Sequence, residues 1–213
     1  MTRVLFIRHG ESESNILGTF TGQIDAPLSE LGHTQAECTA GFILENYRVD
    51  AVYSSDLSRA YDTGLHTAQK LGLQVQPDKR LREIHGGQWQ NMRFSELSST
   101  HPEEYALWQQ DIGNSRCPGG ESVAELADRV WECVMDICRE NPEKTVLIAS
   151  HATPVRTIQW HASGKPLSYM KEIPWVSNAS VSEFVYENGI LTPVKVSQDA
   201  HLAGMKTNLP SNI

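Results

Sequence analysis

The sequence predicts an α/β fold on an open, mostly parallel sheet with an antiparallel edge strand, and three observations predict it. Short apolar runs bounded by polar residues or glycine, Val4–Ile7, Ala51–Ser54 and Thr145–Ala149, read as buried strands. Segments with apolar residues at helical spacing separate them, the alternation that builds parallel strand–helix–strand units. Later, Val181–Tyr186 and Ile190–Val196 flank Glu187, Asn188 and Gly189, a hairpin signal that adds the antiparallel edge.

The first run ends abruptly in Arg8, His9, Gly10 and Glu11, and a polar, glycine-containing loop follows from Ser12 to Leu28. Ser29 is a favoured N-cap for a helix that reaches about Asn46 through Ala36, Ala40 and Ile43 or Leu44. After Ala51–Ser54, Ser55 or Asp56 caps a helix carrying Leu57, Ala60, Gly64, Ala68 and Leu71, which Gly72 terminates; Arg59 falls in its first turn. Leu81 to about Gly120 is irregular, with one short helix near Phe94 to Trp108, and reads as a lid-like insertion at about 84–120. Ser122 and Glu125 form a capping box ahead of Val123, Leu126, Val130, Val134 and Ile137 at helical spacing. The run Thr145–Ala149 leads into Ser150 and His151, beyond which Thr153 and Pro154 read as N-cap and N1 of a helix closed by Gly164.

At 213 residues, 39% hydrophobic and 21% charged, the chain suits one globular domain, 1–213, with any disorder confined to its last residues. The N-terminal apolar run is too short for a signal peptide, and nothing approaches the roughly 18 apolar residues of a membrane span, so a cytoplasmic protein is expected. Cys38, Cys117, Cys133 and Cys138 lack metal-ligand spacing and read as reduced, mostly buried thiols. A net charge of −8 argues against nucleic acid or an anionic membrane as partner. A small anion needs only a local cluster of positive groups.

Such a cluster is in the sequence. In open α/β sheets ligands bind beyond the carboxyl ends of the strands, where Arg8, His9 and His151 fall and where Arg59 opens a helix. Arginine forks suit the oxygens of a phosphoryl group, and neighbouring arginines keep an imidazole neutral and nucleophilic. His9 is therefore the candidate phosphoryl acceptor. No His-x-His, His-Glu-x-x-His or Asp-rich loop is present, so neither a metal nor another cofactor is implied. An alkoxide leaving group needs an acid, for which Glu83 is the choice; its alternative is an exposed carboxylate paired with Arg80 or Arg82. Glu11 is the other local carboxylate, placed to orient an arginine.

These residues also carry a resemblance. Arg8-His9-Gly10-Glu11 with Asn15, Phe20-Thr21-Gly22-Gln23, Asp25, Pro27-Leu28-Ser29, Ser54-Ser55-Asp56-Leu57, Arg59, Leu81-Arg82-Glu83, Pro118-Gly119-Gly120-Glu121-Ser122 and Ser150-His151 resemble the histidine phosphatase superfamily, in its phosphoglycerate mutase-like branch. The resemblance spans nearly the whole chain in order. It implies a three-layer α/β/α fold in which His9 becomes phosphohistidine, Arg8, Arg59 and His151 grip the phosphoryl group, and Glu83 is acid, then base. Asn15 and the loop of Thr21, Gly22 and Gln23 would contact phosphate or substrate. Ala152 departs from the glycine of many relatives, so a close backbone contact there is in question.

Within that family water as acceptor gives a phosphatase and a second hydroxyl gives a mutase. Ile84 to Cys117 offers only Arg93 and Arg116, with His85 and His101, against four acidic residues, too few cations to hold a bisphosphorylated acid. A phosphatase for a small phosphorylated metabolite is expected, ahead of a mutase or a non-catalytic phospho-ligand binder. Trp89, Met92, Phe94, Tyr105 and Trp108 either wall the leaving group or simply pack a lid. Self-association into a homodimer is left open.

Overall fold

A computed structural model describes residues 1–207; the disorder expected at the last residues concerns positions outside them. Six strands form one sheet in the order β3-β2-β4-β1-β5-β6. They are β1 (Thr2–Arg8), β2 (Ala51–Ser54), β3 (Val75–Pro77), β4 (Thr145–Ser150), β5 (Val181–Glu187) and β6 (Ile190–Gln198). β3, β2, β4 and β1 pair in parallel. The antiparallel edge is a two-strand hairpin, β5 on β1 and β6 on β5, turned by Asn188 and Gly189, both at positive φ.

Side-chain alternation along the central strands makes three layers. Val4, Phe6, Val146 and Ile148 enter one core, where they meet Leu126, Val130 and Val134 of α6 (Val123–Glu140) and Val155 and Ile158 of α7 (Ala152–Ser163). Leu5, Ile7, Val52 and Leu147 face the other side, against Ile43 of α2 (Glu30–Asn46) and Ala68 of α3 (Ser58–Leu71). Both faces of the central strands are thus covered, which explains their unbroken apolar runs.

Several local expectations need correcting. The loop 12–28 contains α1 (Glu13–Leu17), capped by Ser12 and Asn15. Leu57, not Ser55 or Asp56, is the N-cap of α3, and the Ser58 N–H is instead capped by the distant Asp25 carboxylate at 2.7 Å. The segment near 94–108 is two helices, α4 (Phe94–Thr100) and α5 (Pro102–Gln110), because Pro102 bars His101 from the helical region and starts a new helix. His151 is the N-cap of α7, so Ala152 opens that helix and Thr153 and Pro154 lie within its first turn. The edge strand β3, three residues long, carries too short a pattern to be read from sequence.

Candidate active site

Parallel register assembles the site. Arg8 on β1 pairs with Ser150 on β4, and the His9 N–H donates to the Ser150 carbonyl at 2.9 Å, so the two strands end together. His9 and His151 follow immediately, their ring centroids 5.2 Å apart. Arg59, in the first turn of α3, and Glu83, after the short helical turn Lys79–Leu81, complete a cavity of about 540 Å³. Arg8, His9, Asn15, Thr21, Gly22, Arg59, Glu83 and Ala152 all line it.

Each polar group is held in place. His9 Nδ1 lies 2.7 Å from the Gly10 carbonyl oxygen. A carbonyl only accepts, so Nδ1 bears the hydrogen of the neutral ring and Nε2 keeps its lone pair. Burial, then Arg59 and Arg8, holds the His9 pKa well below the usual histidine range. His151 is buried, its Nε2 is 2.9 Å from Ser55 Oγ, and burial followed by Arg59 keeps it neutral in the same way. Arg8 donates to the Val176 carbonyl at 2.6 Å and Arg59 to those of Ile24 and Gly22 at 2.9 and 2.8 Å. Burial lowers both guanidinium pKa values to about 10 against the pull of Glu83, so both stay charged near neutrality. Arg8 Nε and His151 Nδ1 are buried with no hydrogen-bond partner among the described residues.

Glu83 is not the surface ion pair that sequence allowed. Arg80 pairs with Asp78 and Asp136, and Arg82 with Asp56. Glu83 Oε1 accepts from the Ile84 N–H at 2.8 Å and Oε2 from the Thr153 N–H at 3.3 Å. Glu11 orients no arginine among the described residues; it accepts from Ser29 Oγ at 2.8 Å and ties the loop to the start of α2. Gln23 lies off the cavity. Its side chain donates to the Glu83 carbonyl at 3.1 Å, so it steadies Glu83 rather than facing a ligand. Of the aromatic candidates, Phe94 and Trp108 line the cavity, whereas Trp89 and Tyr105 pack against one another in the core.

Sequence reading missed the braces. Asn178 Nδ2 donates to the carbonyls of His9 and Gly10 at 2.9 and 3.2 Å. Thr63 Oγ1 accepts from the Gly10 N–H at 3.0 Å and donates to the Arg59 carbonyl at 2.7 Å. Arg129 donates to the carbonyls of Arg80, Arg82 and Glu83 while paired with Glu121. Trp175, also in the cavity wall, precedes the Val176 that anchors Arg8. Among the described residues, no group of three or more His, Cys, Asp or Glu side chains is placed to hold a metal ion.

Fold and site together define a histidine-based phosphatase. The chain belongs to the histidine phosphatase superfamily (branch 1), whose sequence pattern matches residues 4–199. It is 31% identical over 202 residues to phosphoserine phosphatase 1 of Hydrogenobacter thermophilus, covering 95% of each chain. Bacillus stearothermophilus YhfR superimposes with a TM-score of 0.90 at 25% identity, covering 95% of this chain and 100% of that one. Mycobacterial glucosyl-3-phosphoglycerate phosphatase, solved with VO3, gives 0.86 at 28% identity over 92% of this chain and 99% of its own.

Proposed function

We propose that this phosphatase hydrolyses monoesters of small phosphorylated metabolites through a phosphohistidine at His9 Nε2. The observation that carries the reading is the Gly10 carbonyl on His9 Nδ1, which aims a free lone pair into a cavity shared with two buried arginines and Glu83. Arg8, Arg59, His151 and Asn15 hold the non-bridging oxygens, and Nε2 attacks phosphorus as the ester P–O bond breaks. Glu83 delivers a proton to the departing oxygen, then takes one from the water that attacks the phosphohistidine and releases phosphate. Thr21, Gly22 and Ala152 line the approach to the phosphoryl site.

A mutase has less support. Neither Arg93 nor Arg116 lines the cavity, and Arg116 is tied to Glu125 and the Gly120 carbonyl. The chain acts as a single domain with residues 84–120 over the site; four free thiols and a net charge of −8 support a cytoplasmic setting with a metabolite, not nucleic acid or membrane, as partner. No described helix is long and apolar enough to cross a membrane.

The test is rapid quenching with labelled substrate, which should trap an acid-labile, base-stable phosphoenzyme that His9→Ala abolishes. Turnover should survive EDTA and be blocked by vanadate, whose five-coordinate form fits a phosphoryl site. Most of the turnover surviving in His9→Ala would replace this mechanism with direct attack by water. With 3-phosphoglycerate and a trace of 2,3-bisphosphoglycerate, phosphate release should exceed isomerisation; the reverse would make the protein a mutase.

A further inference from the structure

The Glu83 carboxylate is held through a peptide bond that a second charged residue grips from behind. Arg129, in the second turn of α6, does not line the catalytic cavity. A guanidinium carries five N–H groups, and here all five are used. Nε and Nη2 donate to the Glu121 carboxylate at 2.6 and 2.9 Å, Nη1 donates to the carbonyls of Arg80 and Arg82 at 2.8 Å each, and Nη2 donates again to that of Glu83 at 2.9 Å. Gln23 Nε2 donates to the same Glu83 carbonyl at 3.1 Å. That carbonyl belongs to the peptide unit joining Glu83 to Ile84, whose N–H donates to Glu83 Oε1 at 2.8 Å. Because a peptide unit is planar, gripping its oxygen fixes the direction of its N–H, and a charged donor polarises the unit and strengthens the bond it makes. Glu121 also joins the two ends of the segment from Ile84 to Gly120. Its Oε2 accepts from the His85 N–H at 3.0 Å, and its own N–H donates to the His85 carbonyl at 2.9 Å.

One ion pair thus sits where Glu83, the segment after it and α6 meet. A lysine could neutralise Glu121, but its three N–H groups could not also serve three carbonyls. We propose that Arg129 is a positioning residue for proton delivery: by holding the Glu83 carbonyl it turns the Ile84 N–H onto Oε1 and so sets where the Glu83 carboxyl stands against the departing ester oxygen. The inference rests on the reading of Glu83 as the acid and goes beyond it, assigning the aim of that acid to a residue outside the cavity. Loss of Arg129 should therefore cost most where the leaving group most needs a proton. The charge of Arg129 also bears on His151. An effect by that route, through a group that holds the phosphoryl oxygens, would reach every ester alike.

The experiment measures kcat/KM, which covers the steps up to departure of the leaving group, for two alkyl esters, benzyl phosphate and O-phosphoserine, and for p-nitrophenyl phosphate, which releases a phenolate. The proteins are the wild type, Arg129→Met, Arg129→Lys, Gln23→Leu and Glu83→Gln. Arg129→Met should lose about 10- to 100-fold on the alkyl esters and less than about 3-fold on the aryl ester, a part of what a well-placed general acid supplies. Arg129→Lys should recover some of that loss, and Gln23→Leu, which removes the other donor on the same carbonyl, should show a smaller loss of the same pattern. Should Arg129→Met fail to fold, Gln23→Leu decides by the same ratio. Equal losses on both kinds of ester, or none, while Glu83→Gln still discriminates between them, would overturn the inference and leave Glu83 the acid. Equal losses in Glu83→Gln would instead sink the reading of Glu83 as the acid, and the inference with it.

Discussion

One carbonyl chooses which nitrogen of His9 reacts, and one loop chooses which carboxylate serves it. Gly10 takes Nδ1–H, and Asn178 and Thr63 fix Gly10 in turn. Glu83 is pinned at both carboxylate oxygens by backbone N–H groups, while Glu11 is spent on Ser29. Glu83→Gln should therefore slow alkyl phosphates by about 10²–10⁴-fold and an activated aryl phosphate far less, because a phenolate leaves with little help from a proton. Steady-state kinetics on both esters checks this; equal losses would assign Glu83 a structural part. Arg8, His9, Arg59 and His151 could be found in the sequence because each sits at a strand end or helix start, a position that local pattern reveals, whereas Glu83 lies in the loop after Lys79–Leu81 and is reached only through the need for an acid. Asn178 and Arg129 could not. Their partners lie far off in the chain, and nothing in their own neighbourhoods marks them.

The segments that were readable are those whose signals are local: the Ser29 and Ser122 caps, the Gly72 and Gly164 stops and the Asn188-Gly189 turn. Where the capping group comes from elsewhere, as Asp25 does for α3, the boundary was misplaced. The split at Pro102 was written in the sequence but masked by continuous apolar spacing on either side. Tertiary contact also explains two glycines. A Cβ on Gly32 would stand 2.0 Å from the Glu11 carbonyl oxygen, and one on Gly10 2.5 Å from that of Gly32. The start of α2 therefore presses directly on the loop that follows β1. Gly32→Ala should force this contact apart, lowering stability by about 2 kcal/mol and Tm by roughly 4–8 °C, with a drop in kcat as His9 shifts. Thermal unfolding and kinetics on the same variant test it; an unchanged Tm would mean the two backbones can separate freely.

Taken together, the buried imidazoles make the molecule sensitive to acid. Burial and Arg59 hold the pKa values of His9 and His151 below 6.5 in the native state, and burial lowers those of His161 and His201 as well. Unfolding returns them to about 6.5. Below that pH the unfolded chain binds protons the native chain refuses, so stability is full above it and is lost as pH falls toward the native values. Each histidine contributes up to about 1.4 kcal/mol per pH unit in that window. Tm in phosphate-free buffer should fall from pH 6.5 to 5.5, before most carboxylates titrate, and a His9→Ala/His151→Ala double variant should show a shallower fall. An equal slope in both proteins would point to other groups.

Arg8 and Arg59 each grip loop carbonyls, those of Val176, Ile24 and Gly22, with the same guanidinium that faces the cavity. An anion seated there cross-links the segments around residues 22–24 and 176 to the sheet, and inorganic phosphate, the released product, can do this as well as any ester. The enzyme should consequently be throttled by its own product, competitively with substrate. Phosphate should raise Tm by the amount its dissociation constant dictates, about 2.7 kcal/mol of added stability at a hundred times that constant. Catalysis would then run fastest where phosphate is scarce, and the protein itself would last longest where phosphate is abundant.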